Sequence, residues 1–346
     1  MSKANWFGIP GELPPHMELL QLIVGKWAMQ AVYAAAELGV ADRLRDGPRS
    51  SADVARESGT NGDATYRLMR ALSNLGVLEE RQERVFTLTP VGQFLRSDVP
   101  GSLCGFARFV GYAPTWTAWG ETVHSVRTGQ PGFEHVFGEN VFDWYAKHLE
   151  ESAIFDEAMT AVSTVESEAV AAGFDFSGIE TLADVGGGRG YLLATILKAN
   201  PAMKAILFDL PHVVAGAPSL LREHGIERRV KVESGSFLET APEGADAVIM
   251  KHVLHDWNDD DSVRILRNCH RVLPKEGHVL IVEAVVPPPG ARGWAKLLDL
   301  EMLVLTPRGR ERTEKEFAEL LGRGGFRLRR VAPTASPVSV IEAERV

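Results

Sequence analysis

The spacing of apolar positions changes along this chain, and each change marks a different kind of element. Between residues 17 and 45, Leu19, Leu20, Ile23, Val24, Trp27, Ala28 and Ala31 recur every three or four positions. That period predicts a pair of Ala-rich helices, broken at Gly39. The stripe is wider than one packing neighbour requires, so it suits either a buried helix of the same chain or a second subunit. From Ser50 to Ser97 the elements shorten. Ser51 is placed to cap a helix over 52–57, and Gly59 to Gly62 to make a turn. Asp63 then caps a helix carrying Tyr66, Leu68, Met69 and Leu72, and 77–80 with 85–88 read as a hairpin. This is a winged-helix outline. Residues 105–170 read as helices rich in aromatics, most of them core. From Gly178 onward strands and helices alternate, as in a doubly wound parallel sheet. The last two β-like runs, 326–331 and 338–343, are separated too closely for a parallel crossover, which predicts an antiparallel final pair. The expected division is a helical winged-helix dimerisation domain over 1–104 and an α/β domain over 105–346, with 105–170 as a helical lead-in on the substrate side.

Composition narrows the classes. The chain has 346 residues, 45% hydrophobic and 24% charged, ordinary for globular domains with a real core. A net charge of −9 argues against general nucleic-acid binding. The winged-helix outline reopens that question through Arg67 and Arg70, but residues 1–100 carry 11 Lys plus Arg against 12 Asp plus Glu. A structural or dimerising module is the better reading. Cys104 and Cys269 stand alone, without a pattern for a disulfide framework or a zinc site. The first fifteen residues show no apolar signal core, and the apolar stretch 27–36 falls short of the ~20 residues that span a bilayer. A cytoplasmic protein without membrane or nucleic-acid partners is expected.

The most informative segment runs from Leu182 to Pro211. It reads strand, glycine turn (Gly186-Gly187-Gly188-Arg189-Gly190), helix from Tyr191 to Lys198, and a second strand closing at Asp209. The glycines let backbone approach a ligand closely, and Asp209 is placed to accept from both hydroxyls of a ribose. A dinucleotide fingerprint needs a third glycine at position 191, which is Tyr191. Glycines at 186, 188 and 190 after Asp184 suit a ligand without a pyrophosphate, S-adenosylmethionine (SAM).

The next strand, 247–250, leads into Lys251-His252-Val253-Leu254-His255-Asp256-Trp257. Ligands in open α/β sheets lie beyond the carboxyl ends of the strands, so His255 is placed for proton transfer. A neutral imidazole can take the proton of a phenol, whose own pKa near ~10 makes it a poor nucleophile at neutral pH. Glu283, ending the strand 279–282, and Glu311, before a helix over 313–321, are both candidates to fix the His255 tautomer. His252, His255 and the carboxylates at 256 and 259–261 raise a metal as an alternative. The three acids are better read as the charged first turn of a helix over 259–271, and no metal is expected.

HVLHDW at 252–257, DVGGGRG at 184–190, FDLPHV at 208–213 and GRERTEKEF at 309–317 together resemble the SAM-dependent small-molecule O-methyltransferases. That family includes plant caffeic acid, acetylserotonin and bacterial antibiotic-tailoring enzymes, and the resemblance covers nearly the whole chain. It implies a Rossmann-like methyltransferase sheet behind an N-terminal winged-helix dimerisation domain, and a homodimer acting on a phenolic or polyketide-type aromatic metabolite. It implies His255 as general base flanked by Glu283 and Glu311. Gly186, Gly188, Asp209, Leu210, Ser236, Phe237, Lys251 and Ser163 are implied around SAM. Phe155, Met159, Asp256, Trp257 and Met302 are implied around the substrate. Two positions depart from the pattern. Ser236 stands where the family carries an acid, and the segment from Thr306 to Arg310 is bulkier than the usual glycine pair, so Glu311 is expected to sit differently. Relatives on this fold that hydroxylate, decarboxylate or methylate nitrogen, and a SAM-sensing DNA-binding regulator, are the competing readings.

Overall fold

The computed structural model describes residues 6–9 and 11–346; residues 1–5 and 10, part of the N-terminal stretch read above, lie outside it. The chain forms two compact units, Met1–Trp116 with Tyr145–Val162, and Thr117–Trp144 with Ser163–Val346. By contacts, residues 105–116 and 145–162 of the expected lead-in group with the first unit. Local chemistry explains the grouping. Arg108 pairs with both Glu37 (2.9 Å) and Glu157 (2.8 Å), and the Phe155 ring packs on Phe109 and Tyr145 at 5.6 and 4.9 Å. Residues 145–162 thus join the first unit.

In the first unit, helices Pro15–Ile23 and Gly25–Glu37 precede a small three-stranded antiparallel sheet of β1 (Arg49–Ser50), β2 (Leu78–Gln82) and β3 (Val85–Leu88), in the order β1-β3-β2. Two caps fall earlier than expected. Ser50 Oγ accepts the Asp53 N–H and Asn61 Oδ1 the Ala64 N–H, so Ser51 and Asp63 lie inside the helices Ser51–Ser58 and Gly62–Asn74 that they were expected to cap. Val54, Met69, Leu72 and Phe86 close the core between these helices and the sheet. On the first helix pair, among the described residues, the apolar side chains of Leu22 and Trp27 stand 78% and 66% exposed.

The second unit is built on a seven-stranded sheet of β4 (Thr181–Val185), β5 (Lys204–Asp209), β6 (Val230–Ser234), β7 (Ala247–Lys251), β8 (His278–Glu283), β11 (Phe326–Pro333) and β12 (Ser339–Arg345). A separate two-residue parallel ladder joins β9 (Val285–Val286) to β10 (Arg312–Thr313). The large sheet runs β11-β12-β8-β7-β4-β5-β6. Strands β4 to β8 are parallel, while β12 runs antiparallel to both β8 and β11. Its central strands are apolar on both sides, with Val248 and Met250 in one core and Ala247 and Ile249 in the other. The expected doubly wound sheet with an antiparallel end is what the chain forms.

Candidate active site

The glycine turn leaves β4 through three left-handed residues, Gly186, Gly188 and Gly190, with φ of +73°, +61° and +90°. Space matters too. A Cβ at Gly187 would stand 2.6 Å from the Asp184 carboxyl carbon and from Leu207 Cδ1, whereas one at Gly188 would meet nothing within 4 Å. That side of the turn is open to a ligand. At the end of β5, Asp209 Oδ2 accepts the Gly188 N–H (2.9 Å) and Oδ1 the Leu210 N–H (2.7 Å). Each carboxylate oxygen keeps a second lone pair. Beneath the turn, burial pushes the Asp184 carboxyl up to about 7 against the pull of Lys251, and its Oδ2 has no partner among the described residues.

Of the other expected cofactor residues, Ser236 and Phe237 follow the end of β6. Phe237 would touch a Cβ at Gly186 at 3.6 Å, and its ring meets Trp257 edge-on at 5.9 Å. The Phe237 carbonyl is held by Asn268 Nδ2 (2.8 Å), and the Ser236 carbonyl accepts the N–H of Glu239 (2.9 Å). Lys251 ends β7 and donates to Glu166 at 3.4 Å. Ser163 lies one turn before Glu166 on the helix Leu149–Gly173, and so shares its face.

His255 sits in a short 3₁₀ turn, Leu254–Asp256, just beyond β7. Its backbone N–H donates to Glu283 Oε1 (3.1 Å), and its Nδ1 contacts Glu311 Oε1 at 2.8 Å. All three side chains are buried. The β9–β10 ladder pairs Arg312 with Val285, which brings Glu311 beside the end of β8; the Glu311 N–H is fixed on Asp299 (2.8 Å). A carboxylate on Nδ1 places the proton there and leaves the lone pair on Nε2, which stands 3.7 Å from Asp256 Oδ1. Burial works against a charge on the ring, but Asp256, Glu311 and Glu283 outweigh it and lift His255 to about 9. Burial raises Glu283 to about 7 and raises Asp256 as well.

Arg312 was not singled out from the sequence. It is 1% exposed and donates to Leu254 O (2.9 Å), Trp257 O (2.9 Å) and Asp259 Oδ1 (2.8 Å). One guanidinium therefore holds the backbone on both sides of His255, from the residue next to Glu311. The bulky segment before Glu311 also closes on the histidine. Arg310 N–H donates to His255 O (2.8 Å), and a Cβ at Gly309 would fall 2.5 Å from that oxygen, so glycine is needed there. Met302, on the helix Ala295–Leu305, is buried and its carbonyl accepts from the Thr306 backbone (3.0 Å) and hydroxyl (2.8 Å). Phe155 and Met159 belong to the first unit, unlike the other candidate residues. Among the described residues no three His, Cys, Asp or Glu side chains are grouped to hold a metal ion.

An open glycine turn and an acceptor carboxylate beside a buried histidine–carboxylate pair point to a class, and comparison with known proteins gives the family. An O-methyltransferase domain matches residues 119–327, and an O-methyltransferase dimerisation domain residues 20–98. The chain is 39% identical over 336 residues to a phenazine O-methyltransferase of Lysobacter antibioticus, spanning 97% of this chain and 98% of that protein. It is 37% identical over 315 residues to an 8-amino-8-demethylriboflavin N,N-dimethyltransferase of Streptomyces davaonensis, 90% of each. The solved structure of human N-acetylserotonin methyltransferase in complex with SAM matches with a TM-score of 0.88 at 27% identity, covering 97% of this chain and 99% of that one. The chain belongs to the O-methyltransferase family; it is a methyltransferase, and its cofactor is SAM. The open face at Gly188 and the spare lone pairs of Asp209 fit that cofactor.

Proposed function

We propose that this enzyme methylates a hydroxyl group of a small aromatic metabolite, with His255 as the general base. The observation that carries the reading is the buried 2.8 Å contact between His255 and Glu311. Gly186, Gly188, Asp209, Leu210, Ser236, Phe237, Lys251 and Ser163 would hold SAM, which supplies a methyl group on a positively charged sulfur. What remains for the protein is to remove a proton and to orient the acceptor. His255 Nε2 takes the hydroxyl proton, and the new imidazolium is held by Glu311 on its other nitrogen. A base near about 9 is close to a phenol near ~10, so the transfer is nearly balanced in energy. Asp256, Trp257 and Met302 are proposed to line the substrate site. The dimerisation-domain match and the exposed Leu22 and Trp27 support a homodimer through the first unit.

The relative that methylates an amino nitrogen supports a second reading, transfer to nitrogen on the same scaffold. A neutral aromatic amine already presents a lone pair and has far less need of a base. The two are separated by offering an aminophenol as acceptor and locating the methyl group by NMR. Product on oxygen is expected; product on nitrogen alone would overturn the first reading.

A further inference from the structure

A second imidazole–carboxylate pair lies beside the first. His252 Nε2 contacts Glu166 Oε2 at 2.8 Å, and the same oxygen takes Lys251 Nζ. With the proton fixed on Nε2 by that carboxylate, Nδ1 keeps its lone pair, and it is buried without a partner among the described residues. The His252 and His255 rings stand 4.8 Å apart, tilted by 32°. His252 is also left-handed, at φ +52°, and only one other described non-glycine residue has a positive φ. A residue with a Cβ held in that region points to a constraint imposed by its surroundings.

The charged groups around the two rings come from four directions: Lys251 and Asp256 on their own segment, Glu166 from the helix Leu149–Gly173, Glu283 from β8, and Glu311 from the segment leading into β10. Two imidazoles this close repel when both carry a proton. Burial, with Lys251 and His255, holds His252 below its ordinary value despite Glu166, while His255 is held above its own. Such opposed environments separate the roles of paired titratable groups.

We propose that His252, clamped by Glu166, is a positioning residue for the reaction: an uncharged platform that fixes the His255 ring and confines the site's proton to it. This rests on His255 being the base. The test measures kcat, KM and the pH dependence of kcat/KM in the full-length enzyme, with SAM affinity by calorimetry as a folding control. His252→Ala, which removes the clamped ring, should lose about tenfold or more in kcat with SAM affinity kept. His252→Arg places a fixed positive charge beside His255 and should move the acid limb of kcat/KM to lower pH by at least ~0.5 unit. An acid limb unmoved in His252→Arg, or a kcat retained in His252→Ala, would overturn the proposal. If the limb persists in His255→Ala, it never belonged to His255; the reading of the base fails and the platform falls with it.

Discussion

Replacing Glu311 by Gln keeps the shape of the contact to His255 and removes its charge. A hydrogen bond to a charged partner contributes ~1.5–3 kcal/mol and a neutral one ~0.5–1.5. The substitution therefore removes ~1–1.5 kcal/mol of preference for the imidazolium, about one pKa unit at ~1.36 kcal/mol each. The unmodified enzyme holds His255 at about 9, so the variant should hold it near ~8. The base works only when deprotonated, and kcat/KM reports the free enzyme. So kcat/KM should climb with pH and level off above about 9 in the parent, and above ~8 in Glu311→Gln. The plateau should also fall, by ~10- to 10²-fold, because the amide no longer enforces one tautomer. The assay is methyl transfer from labelled SAM to a phenol, measured across the pH range at low acceptor concentration. Stability runs the other way. A raised histidine stabilises the fold fully below its unfolded value and loses that contribution through about 9, so the variant should be less stable near neutral pH but not in strong alkali. A limb that stays at the parent's position, or a plateau that does not fall, would refute the role given to Glu311.

Asp209→Ala should weaken SAM binding by ~10- to 100-fold in calorimetry, the worth of ~1.5–3 kcal/mol of charged hydrogen bonding; unchanged affinity would remove Asp209 from the cofactor site. Arg312→Leu removes the charged donor from the Leu254 and Trp257 carbonyls and from the half-exposed Asp259 carboxylate, and should cost ~1.5–3 kcal/mol of stability in denaturant unfolding. A loss under ~1 kcal/mol would contradict the clamp. Asp184→Asn removes a carboxyl that burial raises to about 7. That cost appears as pH rises from acid toward 7 and is full above it, so the cofactor-free variant should gain ~2–4 kcal/mol over the parent at alkaline pH and little in acid. A gain equal at both would show that Asp184 titrates normally.

Much of this arrangement is legible in the residues, because strand ends and turns in an α/β sheet are local. The apolar runs of β4, β5, β7 and β8 give the strands, and their carboxyl ends carry the glycine turn, Asp209, His255 and Glu283. The short link between the last two runs identified the antiparallel pair. What escaped was long-range or side-chain specific. Arg312 looks like one of several charges in GRERTEKEF, and its burial depends on a two-residue ladder too short to read from periodicity. Its signal was adjacency to Glu311. Glu166 sits in a helix rich in acids, and only its place one turn after Ser163 marks it. His252 stands one helical turn's spacing before His255 and was weighed only as a metal ligand. The grouping of 145–162 with the first unit also escapes periodicity, because it rests on an ion pair and a ring contact between residues nearly fifty positions apart.

The central claim is that His255 takes a proton from an aromatic hydroxyl. Its most direct test is the rate of labelled methyl transfer to a panel of phenols, with the parent and His255→Ala side by side at saturating SAM. O-methylated product is expected from the parent, with a fall of ~10² or more in the variant and SAM affinity retained. Transfer undiminished in His255→Ala would contradict it.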